Sequence, residues 1–204
     1  YNSRRSTKRE YSMAANNNVT KVVKLGVLAA VSIVLAATVH FPIFPAISFI
    51  EYDMGDVPIV IGALAYGPWW GLALTVVTAI IQGVTVSAAS GPIGILMHIL
   101  STGSGVLAAT LVYNRHKSKK GAVISLLVFV PAVTLTMLIC NYFLTPLYMV
   151  SPDFPYRAAQ QTVVSLMGFI LLINLIKCTA NAVFIYFLYK PMSRYFLKRE
   201  FFRR

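Results

Sequence analysis

Acidic side chains are scarce in this chain. Six Asp and Glu stand against eighteen Lys and Arg in 204 residues, and charged residues make up only 12% of the total. A soluble domain carries about 25%, so composition excludes an ordinary soluble protein. No carboxylate falls inside a long apolar run, which argues against a proton relay of the usual Asp/Glu kind. The two cysteines, Cys140 and Cys178, match no metal spacing and read as small packing residues in apolar helices. His98 reads as an interior histidine, and no metal site is expected. A Gly-x-x-x-x-Gly-Lys-Ser/Thr phosphate loop is missing, so this chain alone cannot drive work with ATP. For Ser104, in Gly103-Ser104-Gly105, the histidines His98 on the same helix and His116 in a basic loop are poorly placed as bases. A serine–histidine pair, and with it a membrane enzyme, is therefore the weaker alternative.

Apolar sequence dominates instead: 57% of the residues are hydrophobic and the mean hydropathy is +0.71. Several runs approach or exceed the ~20 residues that cross a hydrocarbon core. Breaks at Pro42 and Pro45, Gly67-Pro68, Ser90-Gly91-Pro92, the loop around 115–120 and the prolines of 145–155 divide the chain. They leave six spans, near 22–40, 57–66, 71–86, 93–113, 122–142 and 162–189. The expected fold is an all-α integral membrane protein of six transmembrane helices. Residues 1–21 form a polar N-terminal segment, disordered or a surface helix, 22–190 the membrane domain and 191–204 a basic tail. The first span reads as a retained helix, not a signal peptide.

Net charge is +12, and its placement is informative. Arg4, Arg5, Lys8, Arg9, Lys21 and Lys24 precede or open the first span, Arg115, Lys117, Lys119 and Lys120 share one loop, and six more follow the last span. Three basic segments separated by membrane crossings obey the positive-inside rule and put both termini in the cytoplasm. Attraction to anionic lipid explains the basicity without nucleic acid.

One cation breaks that pattern. Lys177 lies mid-way along the last apolar run, with Asn174 one turn before it and Asn181 one turn after, all on one helical face. Placing an ammonium near the bilayer centre costs about 2.5–3.5 kcal/mol, so it calls for a cavity, a ligand or acceptors. Asn141, near the outer end of span 5, can meet this trio at similar depth. Amides offer donors and acceptors together, which suits a flat, mostly neutral ligand rich in carbonyl and imino groups. Tyr52, Tyr142, Phe143 and Tyr148 could stack on its ring. Thr75, Thr78, Gln82 and Thr85 line one face of span 3, and His98 and Thr102 fall on span 4. Their hydroxyls also fit simple back-bonding to helix carbonyls. Asp56 has two open readings, a helix N-cap before Pro58 and a ligand contact.

The segment Tyr52-Asp53-Met54-Gly55-Asp56-Val57-Pro58, with Gly62 and Tyr66-Gly67-Pro68-Trp69-Trp70-Gly71, resembles the S components of energy-coupling factor vitamin transporters. Asn141-Tyr142-Phe143 and Asn174-Leu175-Ile176-Lys177 point to the riboflavin-specific branch. The resemblance implies a multi-pass protein of the bacterial plasma membrane that captures vitamin from outside. It implies a transmembrane coupling subunit and two cytoplasmic ATPases as partners. Asn141, Asn174 and Lys177 would hydrogen-bond the isoalloxazine ring, and the loop after span 1 would act as a lid. Gly26-x-x-x-Ala30 would present the small-residue face that docks the coupling subunit, where the family usually has alanine at both positions. The expected ligand set is Asn141, Asn174, Lys177, Asn181, Tyr52, Asp56 and Gln82. Riboflavin is cargo, with no resident cofactor. Flavin mononucleotide, pantothenate or another vitamin, and a subunit without ligand, are the alternatives.

Overall fold

The structure, a computed structural model, describes residues 2–42 and 51–196. Helix α1 (Asn2–Thr38) leads into a short antiparallel ladder of β1 (His40–Pro42) and β2 (Glu51–Asp53). Helices α2 (Asp56–Tyr66), α3 (Pro68–Val84), α4 (Gly91–Arg115) and α5 (Lys119–Phe143) follow, then the short α6 (Pro146–Met149), α7 (Tyr156–Ser165) and α8 (Met167–Phe196). The fold is helical as expected, with the ladder as an addition. Its register pairs His40 with Asp53, Phe41 with Tyr52 and Pro42 with Glu51. The loop expected to act as a lid lies largely in residues 43–50, outside the described residues.

Among the described residues, four stretches are long and apolar enough to cross a membrane: Asn18–Thr38, Gly91–Arg115, Lys119–Met149 and Met167–Tyr189. Val27 and Val34 on α1, Leu127, Leu135 and Ile139 on α5, and Val183 and Phe187 on α8 are exposed. An apolar surface so extensive is not that of a soluble monomer; it suits lipid. The polar N-terminal segment is helical from Asn2 and continues without a break into the first crossing. At the other end α8 reaches Phe196, and residues 197–204 of the basic tail lie outside the described residues.

Helix α2 departs most from a simple crossing. It has 11 residues, about 16 Å at 1.5 Å per residue, roughly half the ~30 Å hydrocarbon core. Every side chain from Asp56 to Leu64 is buried. A helix apolar on all sides belongs in a core, and α1, α3, α4 and α8 all pack around this one. Ile59, Val60 and Ala63 join Leu28, Val106, Phe129 and Ile185 in one apolar cluster. The helix stops at Gly67, whose φ of +96° only glycine adopts readily, and Pro68 opens α3.

Two expectations need correction. Asp56 is expected just ahead of span 2, but it is the first residue of α2 and is buried, so a carboxylate does lie within an apolar helix. It makes no cap hydrogen bond, and Gly55 holds the N-cap position. The sixth span, expected unbroken over 162–189, is divided at Leu166 into α7 and α8. Ser165 Oγ donates to Thr162 O at 2.7 Å, a back-bond of the kind that bends helices. Leu166 then turns its side chain to a central cavity.

Helices α2 and α3 approach closely because Gly71 has no side chain. A Cβ there would fall 2.4 Å from Ala63 Cβ and 3.0 Å from the Ala63 backbone. Overpacking of this kind costs about 1–3 kcal/mol. Gly71→Ala is therefore expected to lower the thermal unfolding midpoint in detergent; an unchanged midpoint would show that this contact does not limit stability.

Candidate functional site

The bundle encloses a cavity of about 600 Å³, to which α1, β2 and every helix from α2 to α8 contribute. One wall is formed by α5 and α8, which present Asn141, Asn174 and Lys177. Helices α3, α4 and the start of α2 add Gln82, His98, Thr102 and Asp56. Ala79, Ile95, Met97, Val133, Met137 and Val163 supply apolar surface between these polar groups. A largely apolar concavity with a few convergent polar groups is the usual form of a small-molecule site.

The turn after β2 organises the polar groups. Lys177 Nζ donates to Asp53 Oδ2 at 2.6 Å, with each side chain about one-fifth exposed. Asp53 is held in turn: Gly55 N donates to its Oδ1 at 2.9 Å, and Asn181 Nδ2 to its carbonyl at 3.3 Å. Ser32 Oγ on α1 donates to Gly55 O at 2.6 Å, and Gln82 Nε2 on α3 donates to Ser32 Oγ at 3.3 Å. Residues 53–55 are thus fastened to α1 and α8, and through Ser32 to α3. A Cβ on Gly55 would fall 2.7 Å from Gln82 Nε2, so glycine lets the turn fit here.

Beside it, Thr102 Oγ1 donates to Asp56 Oδ1 at 2.8 Å, and His98 Nε2 lies 3.3 Å from the same oxygen. The amides of α5 and α8 are held by their own helices. Asn141 Nδ2 donates to Met137 O and Asn174 Nδ2 to Ile170 O, each at 2.8 Å, and Thr145 Oγ1 donates to Asn141 Oδ1. At the cavity's edge Tyr148 Oη donates to Ser90 O at 2.5 Å and ties α6 to the turn before α4.

Of the residues expected to contact ligand, Asn141, Asn174, Lys177, Asp56 and Gln82 line the cavity. Tyr52 and Asn181 do not. Asn181 sits behind Asp53, whose carbonyl it holds. Tyr52 packs on Phe41 with ring centroids 5.2 Å apart. Burial, and then the nearby Asp53 carboxylate, push the Tyr52 phenol above its ordinary pKa. Thr75 and Thr78 bond back to Gly71 O and Leu74 O, whereas Thr102 reaches across to Asp56. Asp53, His98 and Thr102 are polar cavity residues outside the expected set. Charge balance could have found Asp53, since a lysine at membrane depth needs a counter-ion and few acids are at hand. Ser104 Oγ donates to Ser101 O at 2.7 Å and accepts from Thr136, while His98 faces Asp56. Both cysteines are free and buried. Gly26 and Ala30 lie on the exposed face of α1, and a Cβ on Gly26 would meet open space.

The sequence pattern of "ECF transporter, substrate-specific component" matches residues 20–193. This chain belongs to that family. Among individual proteins it is 30% identical to the riboflavin transporter FmnP of Bacillus subtilis over 128 residues, 62% of this chain and 66% of that protein. It is 26% identical to the riboflavin transporter RibU of Staphylococcus aureus over 193 residues, 94% of this chain and 98% of that protein. The solved structure of the S component of a bacterial ECF transporter superposes with a TM-score of 0.73 at 23% identity, covering 89% of this chain and 99% of that one. The family therefore shares this helical fold.

The Asp53–Lys177 pair makes a prediction for stability. Removing one partner of a buried pair leaves the other charge uncompensated and costs about 3–5 kcal/mol, less where water reaches it. Asp53→Asn and Lys177→Met should each lower the unfolding midpoint in detergent, and the double variant should recover part of the loss. Additive losses in the three proteins would show that the two side chains are not coupled.

Proposed function

We propose that this chain is the riboflavin-binding specificity subunit of an ATP-driven vitamin importer in a bacterial plasma membrane. The observation that carries this reading is the wall of Asn141, Asn174 and Lys177 facing a cavity of about 600 Å³. The family match and the riboflavin transporters among its relatives support it. The polar edge of an isoalloxazine ring alternates carbonyl and imino groups and carries no full charge. Each asparagine amide keeps a second N–H beyond the one given to its own helix, and the Lys177 ammonium beside Asp53 is a further donor on that wall. The apolar side chains between the walls would cover the faces of the ring.

In this reading the chain crosses the membrane six times, with α2 and α3 as its two shortened crossings and both termini in the cytoplasm. Positive charge near α1, between α4 and α5, and after α8 is consistent with that arrangement. Energy would come from a transmembrane coupling subunit and two ATPases. The chain captures its cargo from outside, docks through the small residues Gly26 and Ala30 on α1, and releases the vitamin inward. It performs no covalent chemistry.

Titrating riboflavin with purified protein in detergent tests the reading, because a bound flavin loses fluorescence. Stoichiometric quenching is expected. Lys177→Met removes a charge-assisted hydrogen bond of about 1.5–3 kcal/mol and should weaken binding tenfold or more. Unchanged affinity would remove Lys177 from the site. Failure of the folded, unaltered protein to quench would overturn riboflavin as cargo and direct the search to other vitamins.

A further inference from the structure

Buried hydroxyls in this bundle mostly serve their own helix. Thr75, Thr78, Thr110 and Ser125 donate to carbonyls three or four residues back, the usual habit of serine and threonine inside helices. Ser32, in α1, does not. It is fully buried on a face that otherwise presents Leu25, Leu28, Ala29 and Ala36. A hydroxyl on such a face is unfavourable unless it is hydrogen-bonded, and its partners here lie on other elements. Ser32 Oγ donates to Gly55 O at 2.6 Å and accepts from Gln82 Nε2 at 3.3 Å. The residue itself lies outside the cavity lining, whereas Gln82 is part of it. Ala36, one turn further along α1, completes the seat of the turn: a Cβ on Gly55 would fall 3.2 Å from Ala36 Cβ. From Gly55 the contacts lead on to the site. Gly55 N donates to Asp53 Oδ1, and Asp53 Oδ2 accepts from the Lys177 ammonium. An unbroken line of hydrogen bonds thus runs from α1 to the lysine of the Asn/Lys wall.

We propose that Ser32 is a positioning residue: through Gly55 and Asp53 it fixes where the Lys177 ammonium stands, and so tunes cargo affinity without touching the cargo. The effect on affinity rests on the flavin reading above. Without the hydroxyl the turn is released from α1, and Asp53 moves with it. Lys177, which takes its position from Asp53, then meets the edge of the ring at a different distance and angle. Hydrogen bonds weaken steeply as their geometry departs from the optimum, so a small displacement is enough.

The test is a pair of double-mutant cycles read by riboflavin titration. Ser32→Ala should weaken riboflavin by about fivefold, the size of one lost hydrogen bond. In a Lys177→Met background the same change should move affinity by less than about twofold, because the ammonium that Ser32 positions is gone. In an Asn141→Ala background it should have its full effect, since that amide is braced by its own helix. Full effects in both backgrounds would mark a merely structural hydroxyl and overturn the proposal. Lost effects in both would mark a general loosening of the cavity and overturn it equally, as would unchanged affinity in Ser32→Ala alone. A second arm needs no ligand. Ser32→Ala should lower the unfolding midpoint in detergent less in Asp53→Asn than in unaltered protein, and equal losses would show that Ser32 does not act through Asp53. If unaltered protein quenches no riboflavin, the flavin reading fails and the effect on affinity with it. The midpoints then still decide whether Ser32 positions the pair.

Discussion

A lysine at membrane depth must be compensated, and the ion pair between Lys177 and Asp53 is where this structure does so. The cost of an isolated ammonium in hydrocarbon, at least about 2.5–3.5 kcal/mol, demands a partner, and the partner must be brought to the lysine. Asp53 ends a strand that follows α1, so the chain between α1 and α2 has to descend into the bundle to deliver it. Helix α2 consequently begins with a buried carboxylate and runs for only 11 residues. Its wholly apolar surface and its position among α1, α3, α4 and α8 follow from the same placement.

The descent also makes the site. Residues 53–56 bring two carboxylates and a tight glycine turn to the cavity, where α3, α4 and α8 supply Gln82, Thr102, His98 and Lys177. Each polar group is restrained by another. Asn181 holds the Asp53 carbonyl, Gly55 N–H its carboxylate, and Thr102 the Asp56 carboxylate. The asparagines of α5 and α8 are braced by carbonyls one turn back. Restraint of this kind lowers the ordering cost of binding a small ligand.

Much of the architecture is legible along the chain itself. Apolar runs bounded by proline and glycine place α3, α4 and α5 within a few residues of where they lie, because span length and helix breakers are local properties. The spacing of Asn174 and Lys177 puts them on a shared face, since helical periodicity is local too. Asn181 shows the limit of that reasoning. It shares the face of Lys177, yet one turn deeper it meets the backbone of Asp53 and not the cavity. Tyr52 shows the same limit: its aromatic ring suits a ligand wall, but the ladder turns it onto Phe41. The break at Leu166 has no proline to mark it and is invisible to pattern reading.

Taken alone, the sequence determined that the chain is a helical membrane protein, where its long apolar helices lie to within a few residues, and that one buried cation needs partners, because hydropathy, helix breakers and charge act along the chain. Its motifs also carried the resemblance to the transporter family. Which acid answers the lysine, which hydroxyls bond back and which reach across, and which polar residues face the cavity were decided only by the tertiary structure. Those choices pair residues 124 positions apart in one case and 46 in another. Nothing in local sequence specifies such pairings; the packing of α2 among its neighbours does.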